Sequence, residues 1–219
     1  MRRITDDPPR DRAPVFTPDG RSLVFYSNRD GYWGVWTVGI DGGGLRKITG
    51  PEASVMYPQV SPKGDALIFA QVSAALGLFS VPLNGGSPSP LPRSIIDGKS
   101  FMQSAWSPNG SRLAGVLRSD NGRPSGLGVY DLAAGAMTIV GDDETSGVRW
   151  LSDSRRLVYF ATSGRELVVL DTVSRQRTVV DVRLPAPSTD EVFALSPDNR
   201  HIYYGAARAE ADIWIAQQR

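Results

Sequence analysis

The 219-residue chain contains no cysteine and only one histidine, His201. Without cysteine it has no disulfide framework, thiolate zinc site, iron–sulfur cluster or cysteine nucleophile. A single histidine excludes metal sites that need several imidazole ligands. The 24 Lys+Arg and 23 Asp+Glu leave a net charge of +1. This balance argues against nucleic-acid binding through a strongly basic surface.

Long apolar runs are missing as well, and so are the residues typical of surface helices. No unbroken apolar stretch approaches the roughly 20 residues of a membrane-spanning helix, so we expect no membrane insertion. The start at Met1 is polar and lacks the apolar core of a signal peptide. Lysine and glutamate number only three and five, whereas glycine and proline number 23 and 16. This composition predicts an all-β protein with many tight turns.

Five short segments recur every 44 to 46 residues. Four of them place a bulky residue before a turn of the type Ser/Thr-Pro-x-Gly/Asn, and the fourth segment, Trp-Leu-Ser-Asp-Ser, lacks the proline and the glycine. The segments are Phe16–Gly20, Val60–Gly64, Trp106–Gly110, Trp150–Ser154 and Leu195–Asn199. A period of this length is typical of one four-stranded propeller blade. We expect the bulky first residue of each segment to pack between neighbouring blades.

The repeats predict a single domain, a β-propeller of five four-stranded blades. The blades would cover residues 11–49, 55–92, 101–140, 145–180 and 190–219. The fifth repeat stops before its outer strand, whereas Arg2–Thr5 closely copies Arg46–Thr49. We therefore expect residues 2–5 to complete the last blade and close the ring. The alternative is that the five repeats form part of a larger propeller.

The turn Thr17–Gly20, the strand Leu23–Phe25 and the stretch Asn28–Trp36 resemble the repeats of the TolB-like, WD-type β-propeller family. The resemblance covers nearly the whole chain and implies the fold more specifically than the function. Related repeats form protein-binding, gating and sensor modules. The resemblance also implies a periplasmic or other extracytoplasmic location, but the chain shows no signal peptide. A cytoplasmic location therefore stays open.

The predicted inner strands contain no aspartate or glutamate. They are Ala13–Phe16, Tyr57–Val60, Gln103–Trp106, Gly147–Trp150 and Val192–Leu195. Five-bladed glycosidases need such carboxylates at the central channel, and the chain has no G-x-S-x-G nucleophile motif. We therefore predict that the chain is not an enzyme and holds no cofactor. The alternative is an enzyme that uses rim carboxylates such as Asp190 and Glu191, with Ca²⁺ as a candidate ligand.

One rim of a propeller collects the blade-to-blade loops and the hairpins between second and third strands. Aromatic, methionine and arginine side chains, which are enriched in interface cores, occur there beside many acids. The apolar candidates are Tyr32, Trp33, Met56, Tyr57, Phe101 and Met102. We predict a monomeric scaffold or sensor that binds a protein partner through this rim. The alternative is a small molecule, peptide or glycan in the central channel, near Tyr57, Gln59, Gln103 and Arg149.

Overall fold

The computed structural model describes residues 3–50, 54–72, 77–145, 147–161, 166–182, 188–196 and 198–206. These residues form β-strands, turns and loops, and none of them lies in a helix. The described part therefore contains no helix that is long and apolar enough to cross a membrane. The strands form five antiparallel sheets that follow one another along the chain. The prediction of an all-β propeller is confirmed.

The first two sheets each have four strands in sequential order. Sheet one contains β1 Asp11–Phe16, β2 Ser22–Ser27, β3 Gly34–Gly39 and β4 Arg46–Lys47. Sheet two contains β5 Ser54–Val60, β6 Ala66–Val72, β7 Gly77–Pro82 and β8 Ser89–Pro90. The order within each sheet is that of a propeller blade, with the first strand innermost.

Sheet three has an additional short strand beside its inner strand. It contains β9 Ile95–Ile96, β10 Lys99–Trp106, β11 Arg112–Arg118, β12 Pro124–Asp131 and β13 Ala136–Gly141. Sheet four contains β14 Val148–Trp150, β15 Arg156–Phe160, β16 Leu167–Asp171 and β17 Arg177–Val180. Sheet five is described for β18 Ser188–Leu195 and β19 Ile202–Ala206. Since its remaining predicted strands lie outside the described residues, the count of five complete blades stays a prediction.

Each repeated turn needs a left-handed residue at its last position. Gly20, Gly64 and Gly110 have φ angles of 67°, 73° and 74° there. Ser154 and Asn199 occupy the same position in the fourth and fifth repeats, with φ of 54° and 57°. Glycine adopts this conformation without steric cost, and asparagine tolerates it better than most residues. The turn geometry is thus retained where the sequence signature is weakest.

Alternate residues of the second strands face opposite neighbours, so sheets two, three and four each pack on two others. Leu67 and Phe69 join Val24 of sheet one, whereas Ile68 and Ala70 join Leu113 of sheet three. Similar clusters join sheets three and four and sheets four and five. The interior is therefore a set of apolar layers between adjacent sheets.

The tryptophans that precede two of the repeated turns bind the preceding sheet. The Trp106 indole Nε1 donates to the Gln59 carbonyl oxygen at 3.2 Å. Trp150 Nε1 donates to the Ala105 carbonyl oxygen, also at 3.2 Å. At Trp106 and Trp150 the predicted packing between neighbouring sheets is therefore found. The hydrogen bonds also fix the position of each inner strand along the inner strand of the preceding sheet.

Sheets one and five expose apolar residues on the faces that have no described neighbour. Phe16 of sheet one is 66% exposed and Tyr203 of sheet five is 63% exposed. Ile4 and Thr5 line a cavity of about 450 Å³ together with Leu23 and Phe25 of the first sheet. The N-terminal segment therefore lies at the face where a fifth blade would pack. Residues 3–5 have no strand assignment, and the predicted partner strand falls within residues 207–219, outside the described part, so closure stays a prediction.

We expect Ile4→Ser to lower the free energy of unfolding by about 1–2 kcal/mol, because a half-buried aliphatic side chain would be replaced by a polar one. Denaturant unfolding measures this change. Leu45→Ser serves as the matched control, since Leu45 is exposed in the loop before β4, and its effect should stay within about 0.5 kcal/mol. Equal effects of the two substitutions would contradict a sealing role for the N-terminal segment.

Candidate functional site

A cavity of about 920 Å³ lies at the centre of the molecule, and residues associated with all five sheets line it. Four predicted channel residues, Tyr57, Gln59, Gln103 and Arg149, line this cavity, together with Met102. The cavity is also lined by residues that were not predicted for the channel, chiefly Tyr26, Tyr203 and Tyr204. Arg12 and Arg118, predicted for the rim, line it as well, and so do Ala13–Val15 and Phe193 of the predicted inner strands. The three tyrosines occur in strand patterns that look like ordinary core or edge positions, so the sequence carried no specific signal for them.

β-Bulges interrupt three inner strands and shape the cavity wall. The pairing register shifts between Arg12 and Val15 in β1 and between Met56 and Gln59 in β5. A third shift lies between Gln103 and Ala105 in β10. Bulges bend a strand and re-aim its side chains. As a result the consecutive residues 13, 14 and 15 all reach the cavity wall, which strict alternation of a regular strand would not allow.

The Tyr57 backbone is left-handed, with φ of 55°, and Ala13 has φ of 45° at the corresponding bulge of β1. For residues other than glycine this conformation costs about 1–3 kcal/mol, and surrounding contacts must maintain it. The Gln103 side chain supplies one such contact, because its Nε2 donates to the Tyr57 carbonyl oxygen at 2.9 Å. The second and third inner strands are thus joined at the cavity wall.

Gln103 also has an unused hydrogen-bonding atom. The residue is only 3% exposed, and its Oε1 accepts no hydrogen bond within the described part of the chain. The Tyr57 carbonyl fixes the orientation of the amide, because a flipped amide would set two acceptor oxygens against each other. A buried acceptor without a partner costs about 1–3 kcal/mol.

Three arginines contribute positive charge to the cavity. The Arg149 Nη1 donates to the Val148 carbonyl oxygen at 2.8 Å, and its guanidinium lies 5.1 Å from the centre of the Phe193 ring. Burial lowers the pKa of Arg149, although an arginine remains protonated in proteins. Arg118 donates from Nη1 to the Gly122 carbonyl oxygen at 2.8 Å. No aspartate or glutamate is found among the described lining residues.

An aromatic patch, consisting of Arg12, Tyr26, Trp33 and Tyr57, lies where the first and second sheets meet the cavity. The Tyr26 ring meets Trp33 edge-on at 5.1 Å and Tyr57 at 5.9 Å between centroids. The Arg12 guanidinium lies 5.3 Å from the centre of the Trp33 ring. Such edge-on and cation–π contacts fix the orientation of the rings.

Tyr32 lies on the same hairpin as Trp33 and belongs to a polar cluster. Lys47 Nζ donates to Asp30 at 2.7 Å and to the Tyr32 hydroxyl, and it lies 4.2 Å from the centre of the Tyr32 ring. Burial alone would lower the pKa of Lys47, but the hydrogen bonds to Asp30 and Tyr32 outweigh burial and raise it. The hairpin therefore presents an ordered aromatic side chain beside paired charges.

Several predicted rim acids are engaged within the chain. The nearly buried Arg29 side chain binds Asp7 at 2.7 Å and Asp11 at 2.9 Å. Arg177 binds Asp143 at 3.0 Å, and the Tyr159 hydroxyl donates to the same carboxylate. Burial, assisted by the bond to Asp143, raises the pKa of Tyr159. These carboxylates therefore bind arginine and tyrosine side chains of the same chain.

Two expectations about charges and contacts need correction. Three inner strands, β1, β10 and β18, are longer than predicted and begin at Asp11, Lys99 and Ser188. Since β1 contains Asp11 and β18 contains Asp190 and Glu191, the inner strands are not free of acids. Asp190 and Glu191 lie in β18, but their side chains are outside the described part of the structure. Within the described residues, no three aspartate, glutamate or histidine side chains are grouped closely enough to hold a metal ion.

Phe101, which we expected at the contact surface, is instead 3% exposed and packs in the layer between sheets two and three. Its ring fills the space above Gly115 and Gly128. A Cβ atom at these two glycines would lie 2.8 Å and 3.2 Å from the ring. The two glycines are far from Phe101 in sequence, so only the folded sheet shows why the ring is buried. Met56 is half-buried and is not among the cavity-lining residues.

No protein-family model matches the chain. The chain is similar to an uncharacterized protein of Agrobacterium fabrum, with 31% identity over 126 residues, covering 52% of this chain and 42% of that protein. It is also similar to the Tol-Pal system protein TolB of Bordetella pertussis, with 54% identity over 43 residues, covering 20% of this chain and 10% of TolB. The matches therefore cover less than half the length of either relative.

Solved structures of TolB proteins have the same fold. A putative TolB from Agrobacterium tumefaciens has a TM-score of 0.68 at 15% identity, covering 92% of this chain and 82% of that one. TolB from Acinetobacter baumannii has a TM-score of 0.60 at 20% identity, covering 78% and 43% respectively. These similarities confirm the predicted resemblance to TolB-like propellers.

Two enzymes also have this fold. A puromycin hydrolase has a TM-score of 0.61 at 22% identity, covering 93% of this chain and 34% of that one. Oligogalacturonate lyase from Vibrio parahaemolyticus has a TM-score of 0.58 at 12% identity, covering 91% and 73%. The prediction that the chain is not an enzyme is contradicted by these neighbours. One fold hosts both catalytic and non-catalytic proteins, so the fold provides no basis for excluding catalysis.

The different positions of Phe101 and Met102 lead to a direct test. We expect Phe101→Ala to lower the free energy of unfolding by about 3–5 kcal/mol, because it leaves a void between two sheets. Met102→Ala should cost less than half as much, since Met102 lines the central cavity and is half-buried. Denaturant unfolding compares them. Equal losses would contradict the placement of Phe101 in the core.

Proposed function

We propose that this chain, whose fold is similar to that of TolB proteins, is a protein-binding scaffold whose contact surface is the aromatic patch and the neighbouring hairpin. The TolB-like fold supports protein binding in general. A propeller presents loops of several blades on one rim, so it offers a broad surface on a rigid support. The single observation that carries the finer proposal is the stacking of Arg12 on Trp33 beside Tyr26 and Tyr57.

The residue types of the patch support this choice of surface. Tryptophan, tyrosine and arginine are the residues that most often dominate binding energy at protein interfaces. Trp33 and Tyr57 are half-buried, so each retains accessible surface while its neighbours hold its orientation. Side chains that are already ordered lose less conformational entropy on association. The patch is therefore suited to contribute affinity to an interface.

The hairpin beside the patch supplies a polar border. Tyr32, Asp30 and Lys47 form an ordered cluster in which opposite charges are already paired. Interfaces commonly combine an apolar centre with a polar, solvent-accessible rim. A partner can therefore cover Trp33 and Tyr57 without burying an isolated charge from this hairpin. A sensor role in addition to binding would depend on which protein the partner is.

We expect Trp33→Ala to weaken partner binding about 30-fold, as for a residue that contributes roughly 2 kcal/mol at an interface centre. A photoreactive amino acid at position 32 would capture the partner covalently, and quantitative mass spectrometry would identify it. The purified partner would then be titrated against wild type and variant. Melting curves must show that Trp33→Ala remains folded.

Val179→Ala is the matched control, because Val179 is an exposed apolar residue on the outer strand of sheet four. It should bind the partner with wild-type affinity. If both variants bind equally well, the aromatic patch is not the contact surface. The same photoreactive amino acid at position 179 is the control for covalent capture. If position 32 captures only proteins that position 179 also captures, the scaffold proposal for this rim is wrong.

A further inference from the structure

The central cavity has a charge and shape that suit one chemical class of ligand. We propose that it binds an organic carboxylate attached to a flat ring and accompanied by a hydrogen-bond donor. This inference concerns a ligand inside the cavity and goes beyond the proposed protein-binding surface, with which the cavity shares Arg12, Tyr26 and Tyr57. It is carried by the arginines, the aromatic rings and the unpaired amide oxygen of Gln103.

The charges of the cavity-lining residues favour an anionic ligand. Arg12, Arg118 and Arg149 line the cavity, and the described lining residues include no carboxylate. Neither Arg12 nor Arg118 forms a salt bridge within the described part of the chain, whereas Arg29 is held between Asp7 and Asp11. Positive groups in a recess with low-dielectric walls concentrate anions. The guanidinium fork matches a carboxylate through two parallel hydrogen bonds.

The rings favour a flat substituent on that anion. Tyr57 lies on sheet two, whereas Phe193, Tyr203 and Tyr204 lie on sheet five, and Val15 and Met102 add apolar surface. Aromatic rings pack edge-on or offset against other rings. A volume of about 920 Å³ lies within the range of sites that hold small organic ligands. Inorganic anions would leave most of this surface uncovered.

Gln103 adds the requirement for a donor. Its side chain lines the cavity and is almost completely buried, and its Oε1 has no partner among the described residues. Its Nε2 is already committed to the Tyr57 carbonyl. A ligand N–H or O–H group that reaches Oε1 would satisfy the remaining acceptor while Nε2 keeps its bond to the Tyr57 carbonyl. The three features together describe a ring, a carboxylate and a neighbouring donor.

Isothermal titration of the full chain with N-acetyl-L-phenylalanine tests the charge requirement, because this molecule carries all three groups. Its neutral amide, N-acetyl-L-phenylalaninamide, is the matched ligand. We expect the acid to bind at least tenfold more tightly than the amide, as expected for a charge-assisted hydrogen bond. The proposal is wrong if neither ligand binds or if both bind equally.

Two arginine substitutions locate the site. The double variant Arg12→Gln/Arg118→Gln should weaken binding of the acid at least tenfold and leave binding of the amide unchanged. Arg123→Gln is the control, since Arg123 is exposed on the adjacent hairpin and does not line the cavity. Unchanged binding by the folded double variant would place the ligand elsewhere and overturn the proposal.

Gln103→Leu tests the donor. The substitution should weaken binding of N-acetyl-L-phenylalanine several-fold. It should leave binding of 3-phenylpropionate unchanged, because this acid lacks the N–H group. Equal weakening of the binding of both ligands would contradict the role assigned to Gln103.

A pentapeptide that ends in phenylalanine distinguishes two possible sources of the carboxylate, a protein C-terminus and a small free acid. Tighter binding of the peptide than of the free acid would support a protein C-terminus, and equal binding would support a small acid.

Discussion

The structure depends on one packing constraint, which is that each sheet has two apolar faces and only another sheet covers them. Leu67 and Phe69 face one neighbour, while Ile68 and Ala70 face the other. A single blade would therefore leave a large apolar surface in water, at a cost of roughly 25 cal/mol for each Å². Stability is shared between neighbours, as in other repeat architectures. The exposed Phe16 lies on a face of sheet one that no described sheet covers.

The same constraint determines where a ligand or partner can bind. Packing occupies the faces of the sheets and leaves the inner strands and the loops of one rim as available surfaces. The inner strands would be regular if packing alone decided their shape. Instead, bulges in β1, β5 and β10 turn extra side chains towards the centre. The left-handed Tyr57 shows that this arrangement is maintained against local conformational preference.

Much of the fold followed from the repeat, because each repeated residue has a local task. The period predicted the blades, and the bulky residue of the signature predicted the contact that Trp106 makes with the preceding sheet. Channel residues such as Gln103 and Arg149 could be predicted, since their register on the inner strand fixes their position. Features that join distant segments were missed. Burial of Phe101 depends on Gly115 and Gly128, and no pattern near Phe101 reveals them.

The ion pairs between distant segments were likewise not predictable from the sequence. They also show how charge is divided between the rim acids, several of which are paired, and the arginines of the cavity. Arg29 reaches Asp7 and Asp11 only because the N-terminal segment and a hairpin meet in the folded chain. Such pairs neutralise rim acids internally, whereas Arg12 and Arg118 retain their charge towards the cavity without an acidic partner in the described structure. A formal net charge of +1 therefore conceals a locally positive centre. Because fields in a recessed site are screened less than those at an exposed surface, this separation of charges has more influence on recognition than the total charge does.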